Sequence, residues 1–300
     1  MKSLALIRMG ALGDILMTLN FVEKLKQNYD VHYFCHQNNF DVLNNFIHKN
    51  KIVKFYPFEK YKKEDFHKTI NLVGYPLNEG YPATKMKKHL LEYFSNEMET
   101  VFNLDSFVLD LPSFPKKIKN RNSPIYITFQ TKTGWSLYKE WWGWQELINL
   151  IKNKRPDIEI YQIGGKDDPQ IENIDGSFCG DFFEDNIAAQ AWARIHVGLD
   201  SVFNHTTNIY WRNKGKTKAI ILFGSTQKEA SGYPHNENIS LGLSCQPCFK
   251  EDPKVSTMSL GLCNNPPNQT YENPQHACMK GIIPEMVFEK IIKILNEGKK

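Results

Sequence analysis

The chain has 300 residues, of which 41% are hydrophobic and 23% charged, with a formal net charge of +4 and a pI near 8.5. This length suits two domains of about 150 residues each. No apolar run approaches the roughly 20 residues that a membrane-spanning helix requires. The mild charge does not indicate a nucleic-acid partner, although it is compatible with weak attraction to anionic lipid headgroups.

The first part of the sequence alternates short apolar runs with helical patterns. An apolar run at 3–9 precedes the turn GALGD at 10–14 and a helix that the pattern extends to about residue 26. Arg8, Asp14 and Asn20 interrupt the apolar pattern, so we interpret this stretch as a strand and a helix and not as a signal peptide. The next predicted strands are 31–35, 52–56 and 69–73, and the next predicted helices are 40–48 and 83–100. This alternation predicts a parallel sheet.

A basic stretch flanked by prolines predicts a lobe boundary near residue 120. A second alternation then begins, with strands at 125–129, 158–163, 195–198 and 219–223, helices at 144–152 and 186–193, and a last helix at 284–295. We therefore predict an N-terminal lobe at 1–120, a C-terminal lobe at 121–283 with a Cys-rich segment at 243–280, and a C-terminal helix at 284–300.

Asp14 is the first candidate for chemistry. It is predicted where the carboxyl end of the first strand meets a helix N-terminus, the usual ligand crevice of an open α/β sheet. A carboxylate at this position is also a good helix cap, so Asp14 either acts on a ligand or only holds the turn. The flanking glycines, which include Gly13, fit both interpretations.

The segment QTKTGWSLYKEWW at 130–142 follows the first strand of the second lobe. It combines hydroxyl groups, a glycine and a lysine, and such a loop offers donors to a diphosphate, with Lys139 as a point charge for the leaving group. The alternative is a surface loop whose tryptophans pack against the lobe.

Two further strand ends carry polar residues. Asp168 follows a Gly-Gly turn, where a carboxylate can accept from ribose hydroxyls or serve only the turn itself. Asp200 and Ser201 follow the strand at 195–198, and backbone amides there could hold phosphate. His205 follows on the next helix, where a lone histidine is often a packed core residue.

Four of the six cysteines are spaced C-x2-C-x14-C-x14-C within a region rich in Pro, Asn and Gly: Cys245, Cys248, Cys263 and Cys278. Four thiolates suit a closed, structural tetrahedral site for zinc or iron, which would replace the hydrophobic core that this stretch lacks. Four reduced thiols, or two pairs, are the alternative, because the later gaps are long for a zinc ribbon.

In this order the motifs resemble the ADP-heptose-dependent heptosyltransferases of glycosyltransferase family nine, over nearly the whole chain. The similar stretches are LIRMGALGD at 6–14, TGWSLYKEW at 133–141, VGLDS at 197–201 with His205, LFGST at 222–226, CQPC at 245–248 and CMK at 278–280. The resemblance implies the α/β fold called GT-B, in which two Rossmann-like, doubly wound lobes face each other across a cleft. The first lobe would bind the acceptor and the second the nucleotide sugar.

The resemblance also implies an inverting sugar transfer. Asp14 would be the general base that deprotonates the acceptor hydroxyl. Lys139 would stabilise the departing diphosphate, so that no catalytic metal is required. The residues implied in donor binding are Gly13, Thr131, Thr133, Asp168, Asp200, Ser201 and His205.

The sequence departs from the family at Val202, where a glycine is usual, and at 206–211, where the family has a small-residue helix. A transferase of the same fold with another nucleotide-sugar donor is therefore an alternative. The four cysteines resemble the metal finger of the branch that heptosylates autotransporter proteins, but paired cysteines also occur in lipopolysaccharide-core members. The acceptor is accordingly left open among glycan, lipid-linked and protein hydroxyls.

We expect a cytoplasmic protein, with peripheral association at the inner face of the cytoplasmic membrane as one expectation. A Cys-rich binding or scaffold protein is a further alternative. Acidic and basic residues are mixed in the segment 243–280, which disfavours nucleic acid as its partner.

Overall fold

The computed structural model describes residues 1–75, 88–98, 109–118, 125–134, 137–211, 217–248, 263 and 276–297. The first lobe contains a parallel sheet of strands β1 (Lys2–Ile7), β2 (Tyr29–Cys35), β3 (Lys54–Pro57) and β4 (Lys68–Asn71) in the order β3-β2-β1-β4. Its helices are α1 (Leu12–Leu19), α2 (Val22–Leu25), α3 (Gln37–Lys49) and α4 (Leu90–Glu97).

The second lobe contains a parallel sheet with the order β10-β9-β8-β5-β6-β7. Its strands are β5 (Tyr126–Gln130), β6 (Glu159–Ile163), β7 (Gly176–Ser177), β8 (Ile195–Leu199), β9 (Lys218–Leu222) and β10 (Glu237–Ile239). The helices are α5 (Trp144–Lys154), α6 (Phe183–Trp192), α7 (Val202–Trp211), α8 (Lys228–Ser231), α9 (Ala277–Lys280) and α10 (Pro284–Glu297). This strand order is doubly wound, with a switch point between β5 and β8 where such sheets bind ligands. The predicted α/β fold is confirmed.

The elements differ from the prediction in a few places. The single helix predicted to residue 26 is two helices, because the Asn20 side chain donates to the Met17 carbonyl at 2.7 Å and closes α1. Phe21 and Val22 are buried and continue the apolar pattern through the break. Strands β7 and β10 are too short to show a pattern. The ends of the helix predicted at 83–100, and the predicted boundary near residue 120, lie outside the described residues.

The two lobes share a hydrophobic core. Helix α1 packs against α7, and α3 packs against α6. The core of the first lobe includes Ile187, Ala191, Ile209, Tyr210 and Tyr233 from the second. Tyr210, one of the departures from the family pattern, is therefore a core residue between the lobes. This packing turns the carboxyl end of β1 towards those of β5 and β8.

The last helix, α10, packs on α5 and β9 of the second lobe through Val287, Ile291 and Ile294. Lys290 and Lys293 on this helix form ion pairs with Glu237 of β10. No helix in the described part of the chain is long and apolar enough to cross a membrane.

Candidate active site

Asp14 lies in the first turn of α1, just after β1. Its Oδ2 accepts from Arg8 Nη2 at 3.0 Å and from the Ala11 backbone N–H at 3.2 Å, so Asp14 both caps the helix and forms an ion pair. A Cβ on Gly10 would overlap this carboxylate, which explains the glycine. The Asp14 side chain is 28% exposed, and within the described residues its Oδ1 accepts no hydrogen bond.

Arg8 is itself anchored by the first lobe. Its Nη1 donates to the backbone carbonyls of Leu72 and Tyr75, the latter at 2.8 Å, and its guanidinium lies 5.2 Å from the centre of the Phe94 ring. These partners come from the end of β4 and from α4. The orientation of Asp14 therefore depends, through Arg8, on the end of β4 and on α4.

Asp200 follows β8, and its side chain is 7% exposed. Its Oδ2 accepts from Lys139 Nζ at 2.9 Å and from Thr226 Oγ1 at 2.7 Å, and its Oδ1 accepts from Ser231 Oγ at 2.8 Å. Burial alone would raise the pKa of Asp200, but the Lys139 ammonium and the hydrogen bonds lower it to about 2. Protein donors thus occupy both oxygens of this carboxylate.

Lys139 lies on a 3-10 turn at 137–139 and is 21% exposed. Its Nζ donates to the Asp200 carboxylate and, at 3.2 Å, to the Asp200 backbone carbonyl. An ammonium has three donor hydrogens, and the described residues accept two of them. The ion pair with Asp200 fixes the position of the Lys139 ammonium.

The ends of β5 and β8 are joined by Gln130, whose Oε1 accepts from Ser201 Oγ at 2.9 Å. Thr131 is buried and accepts from Gln162 Nε2 at 3.2 Å, and Thr133 is also buried. The predicted donor-binding residues Ser201, Thr131 and Thr133 are thus brought together at the switch point of the sheet, where they take part in shaping its loops.

His205 lies at the boundary between the lobes. A Cβ on Gly13 would stand 2.7 Å from His205 Cδ2, so α1 approaches α7 this closely because residue 13 is a glycine. The Nδ1 atom of His205 lies 2.9 Å from the Tyr233 hydroxyl. Burial lowers the pKa of His205 to about 4, although the charges of Asp200 and Asp14 oppose the shift. The imidazole is therefore neutral at neutral pH.

Asp168 lies after β6, on the other side of β5 from Asp200. Its Oδ2 accepts from the Gly165 backbone N–H at 3.1 Å, and burial raises the pKa of this carboxyl. Burial also raises the pKa of Glu140, and the positive charge of Lys132 partly offsets both shifts. Asp168 thus lies at the end of β6, where it interacts electrostatically with Lys132 and Glu140.

The turn that carries Lys139 is fastened to the segment 276–282. Trp141 Nε1 donates to the Ile282 carbonyl at 2.7 Å, and His276 Nε2 lies 3.1 Å from the carbonyl oxygen of Glu140. The tryptophan therefore has a structural contact of its own, as one alternative for this loop predicted.

The CQPC motif is attached in a similar way to the loop after β9. Gln246 Nε2 donates to the Gly224 carbonyl at 2.6 Å, and the Cys248 backbone N–H donates to the Ser225 carbonyl at 3.1 Å. The next residue, Thr226, binds the buried aspartate after β8. The CQPC motif thus supports the loop after β9, and through Thr226 this loop binds Asp200.

Cys278 is buried and interacts electrostatically with the other three cysteines predicted as metal ligands. Burial, followed by the neighbouring thiols of Cys248, Cys263 and Cys245, raises the pKa of the Cys278 thiol to about 12. Four thiols are a suitable donor set for zinc or iron. Among the residues that the structure describes, however, no group of three or more His, Cys, Asp or Glu side chains has the arrangement of a metal site. The metal therefore stays a prediction.

Several polar groups of the site are not singled out by the sequence: Arg8, His89, Gln130, Thr226, Ser231 and Tyr233. Arg8 and Thr226 belong to motifs of the resemblance, so their place in those motifs was a usable signal. His89 precedes α4 in the first lobe, and only folding brings it to Tyr233, with 5.1 Å between the ring centres.

No protein-family model and no curated protein matches this chain. Solved structures match its fold. The iron-containing dodecameric glycosyltransferase TibC from enterotoxigenic E. coli H10407 has a TM-score of 0.68 and 15% identity, over 99% of this chain and 76% of TibC. The ADP-heptose lps heptosyltransferase II of E. coli has a TM-score of 0.65 and 10% identity, over 99% of this chain and 100% of that chain.

A glycosyl transferase family 9 protein from Veillonella parvula DSM 2008 has a TM-score of 0.61 and 13% identity, over 99% of this chain and 97% of its own. TibC has also been solved in complex with ADP-D-beta-D-heptose. Identities this low establish the fold alone. The resemblance predicted from the motifs is thus confirmed at the level of the fold: the chain has the GT-B fold of the family-nine heptosyltransferases.

Proposed function

We propose that this protein is an inverting glycosyltransferase that transfers a heptose from ADP-heptose to an acceptor hydroxyl. One observation carries the proposal: at His205, the region of Asp14 in the first lobe meets the region of Asp200 and Lys139 in the second. The His205 side chain contacts the position of Gly13 in the first lobe and lies within electrostatic reach of Asp14, Asp200 and Lys139. Support for the donor comes from the fold, because TibC binds ADP-D-beta-D-heptose.

In the proposed reaction, the acceptor hydroxyl attacks the anomeric carbon from the side opposite the diphosphate. A new carbon–oxygen bond forms, and the hydroxyl proton passes to Asp14 Oδ1, the oxygen that accepts no hydrogen bond within the described residues. Arg8 holds the other oxygen and so orients the base. Attack from the opposite face inverts the configuration at the sugar.

The bond between the anomeric carbon and the diphosphate oxygen breaks as the acceptor attacks, and the electron pair leaves with ADP. Lys139 would meet the negative charge that develops on the diphosphate, with the third donor of its ammonium. Asp200, which binds the other two donors, would position this lysine. The charge is then balanced by protein groups, and no step requires a metal.

The remaining predicted residues would hold the donor along the carboxyl edge of the second sheet. Thr131, Thr133, Ser201 and His205 surround the switch point, where we place the diphosphate. Asp168, which follows β6, is our candidate for the ribose hydroxyls, because its half-buried carboxylate can accept from them.

We further propose that Cys245, Cys248, Cys263 and Cys278 bind one structural zinc or iron ion. The donor set and the electrostatic interaction of Cys278 with the other three thiols support this, and TibC is described as iron-containing. The ion would hold the loops that carry the second half of the site and would leave no open position for substrate. Metal analysis of the purified protein should find about one ion per chain, and a C248S variant should lack it; a metal-free wild type with full stability would contradict the site.

A second candidate donor is favoured by Val202. A Cβ on Gly13 would stand 3.6 Å from Val202 Cα, so this departure from the family lies at the cleft and not on a remote surface. A larger residue there could change which sugar fits. We therefore keep a transferase with another nucleotide sugar as the alternative.

The test is a panel of nucleotide sugars with ADP-, GDP- and UDP-linked donors. Binding is measured by isothermal titration and turnover by release of the nucleoside diphosphate. We expect ADP-heptose to bind most tightly and to be hydrolysed or transferred. Preferred binding of a guanosine or uridine donor would contradict the ADP-heptose assignment, and no binding of any donor would contradict the enzyme class.

The acceptor is proposed only as a hydroxyl of a bacterial glycan, lipid-linked sugar or protein. Association with the inner face of the cytoplasmic membrane can be tested by flotation with anionic vesicles. Transfer assays with the three acceptor classes should select one, and the donor tests do not depend on that choice.

A further inference from the structure

Tyr233 has no role in the proposed reaction, yet it lies at the centre of the lobe boundary. It is 1% exposed and belongs to the core that joins the lobes. Its ring lies against His89 of the first lobe, at 5.1 Å between ring centres, and against His205 of the second, at 5.8 Å. An aromatic ring alone would suffice for this packing, so the hydroxyl needs a separate explanation.

The Tyr233 hydroxyl has one hydrogen-bond partner among the described residues, the Nδ1 of His205 at 2.9 Å. Burial raises the pKa of Tyr233, so its hydroxyl keeps the proton. A buried O–H that found no acceptor would lose a hydrogen bond that it makes in water. The tyrosine therefore donates, and the Nδ1 atom accepts.

This direction of donation determines the tautomer of the histidine. A neutral imidazole has one nitrogen that accepts and one that carries hydrogen. If the Nδ1 atom of His205 accepts from Tyr233, the hydrogen is on Nε2. The opposite tautomer would donate to the tyrosine oxygen and leave the tyrosine O–H without an acceptor within the described residues.

The Nε2 atom lies against the backbone of α1 at Gly13. A Cβ on Gly13 would stand 3.1 Å from it, and no side chain or backbone group of the described residues accepts its hydrogen. The charged groups around the ring are Asp14 from α1, Asp200 after β8 and Lys139 from the turn at 137–139. Asp14 and Lys139 are the two groups to which we assign the reaction.

We propose that Tyr233 is a positioning residue that holds His205 as the Nε2–H tautomer, so that a neutral imidazole presents a hydrogen-bond donor to the diphosphate of the nucleotide sugar. The tautomer follows from the Tyr233 contact, and only the diphosphate rests on the proposed function. The lowered pKa of His205 supports a neutral ring, since a donor of this kind keeps its hydrogen across the neutral pH range.

The test compares wild type with Y233F and uses Y126F as the matched control. Tyr126 is also buried, and its hydroxyl donates to the Ala189 carbonyl at 2.9 Å without touching His205. Nitrogen-15 spectra of histidine-labelled, ligand-free protein at pH 7.5 report the tautomer directly, and an H205N variant assigns the signal. We expect Nε2–H in wild type and Y126F, and a mixture or Nδ1–H in Y233F.

Isothermal titration with ADP then measures how the change in tautomer affects nucleotide affinity. We expect Y233F to bind ADP about tenfold more weakly than wild type, and Y126F to bind as wild type does. An Nδ1–H signal in wild type, or a Y233F protein with unchanged tautomer and unchanged ADP affinity, would overturn the proposal. If wild type binds no nucleotide, the proposed function and the diphosphate part fail together, whereas the tautomer still decides the role of Tyr233. Should Y233F not fold, the wild-type spectrum alone is decisive.

Discussion

Asp14 and Asp200 occupy comparable places in the two lobes, each just after a central strand, but their surroundings differ. Asp14 is 28% exposed, and both of its contacts within the described residues use one oxygen. Asp200 is 7% exposed, and three side-chain donors occupy both of its oxygens. The first carboxylate can still accept a proton from a ligand, whereas the second could do so only by breaking a buried network.

This difference suggests that the two aspartates have different roles, which their motifs alone do not reveal. Both aspartates belong to motifs of the same family resemblance, and both were predicted as functional residues. From their contacts we propose that Asp14 takes part in the chemistry and that Asp200 positions the charge of Lys139. Variants that change only one side of the cleft test whether the two aspartates differ in this way.

The largest effect on the second side is expected from K139M. The change leaves the Asp200 carboxylate buried without its counter-ion, which should lower the free energy of unfolding by about 3 kcal/mol. Loss of the charge opposite the diphosphate should also lower turnover by about 10²- to 10³-fold. Denaturant unfolding and ADP release measure the two effects. K139R keeps the charge and is the control, expected to retain most of the stability; a K139M protein as stable as wild type would contradict the buried pair.

A smaller effect is expected from G13A, which tests how closely the two sides meet. The added Cβ would stand 2.7 Å from His205 Cδ2, so α1 and α7 must move apart, at a cost of about 1–3 kcal/mol. G134A is the control, because a Cβ there would meet no atom within 4 Å. Thermal unfolding should separate the two variants. Equal stability of both would show that the lobe boundary is loose at this point.

The buried histidines and Asp200 should affect folding stability in different pH ranges. Burial lowers the pKa of His205 to about 4 and those of His89 and His196 to about 3, below the ordinary value of 6.5. The unfolded chain therefore binds more protons than the folded one as the pH falls from 6.5 towards 4. Stability should fall over that window by about 1.4 kcal/mol per pH unit for each of these histidines.

The pKa of Asp200 is lowered to about 2 from an ordinary 3.8, because Lys139 and the hydrogen bonds outweigh burial. The stability that this carboxylate contributes should therefore be lost only below about pH 4. H89N tests the histidine window. Asparagine can keep the N-cap that His89 provides for α4. The variant should lose the titration and the ring contact with Tyr233, and the second loss does not vary with pH. Its unfolding free energy, followed from pH 7 to 5, should vary less steeply than that of wild type, and an identical slope would contradict the assignment.

Much of the fold could be predicted because its buried strands are short apolar runs between turns. Strand β1 and strand β8 both show this pattern, whereas the two residues of β7 are too few to show any. The break between α1 and α2 was not predictable from periodicity, since Phe21 is buried on the continuing apolar side. What decides the break is a side-chain hydrogen bond, that of Asn20 to Met17.

The site was predictable where its residues lie in contiguous motifs at strand ends, as Asp14 and Lys139 do. The partners that decide their roles are distant in sequence. Ser231 reaches Asp200 from a short helix beyond β9, and His89 reaches Tyr233 from the other lobe. Such contacts arise from tertiary packing, so no spacing in the sequence could have indicated them.

We propose that Asp14 is the base and that Asp200 is not. The D14N variant tests this assignment, with ADP release and ADP binding measured on the same preparation. We predict that D14N binds ADP as wild type does but releases it from ADP-heptose about 10²- to 10⁴-fold more slowly, because the amide cannot take the acceptor proton. If D14N releases ADP at the wild-type rate while binding it normally, Asp14 only caps its helix, and the account of the two carboxylates is wrong.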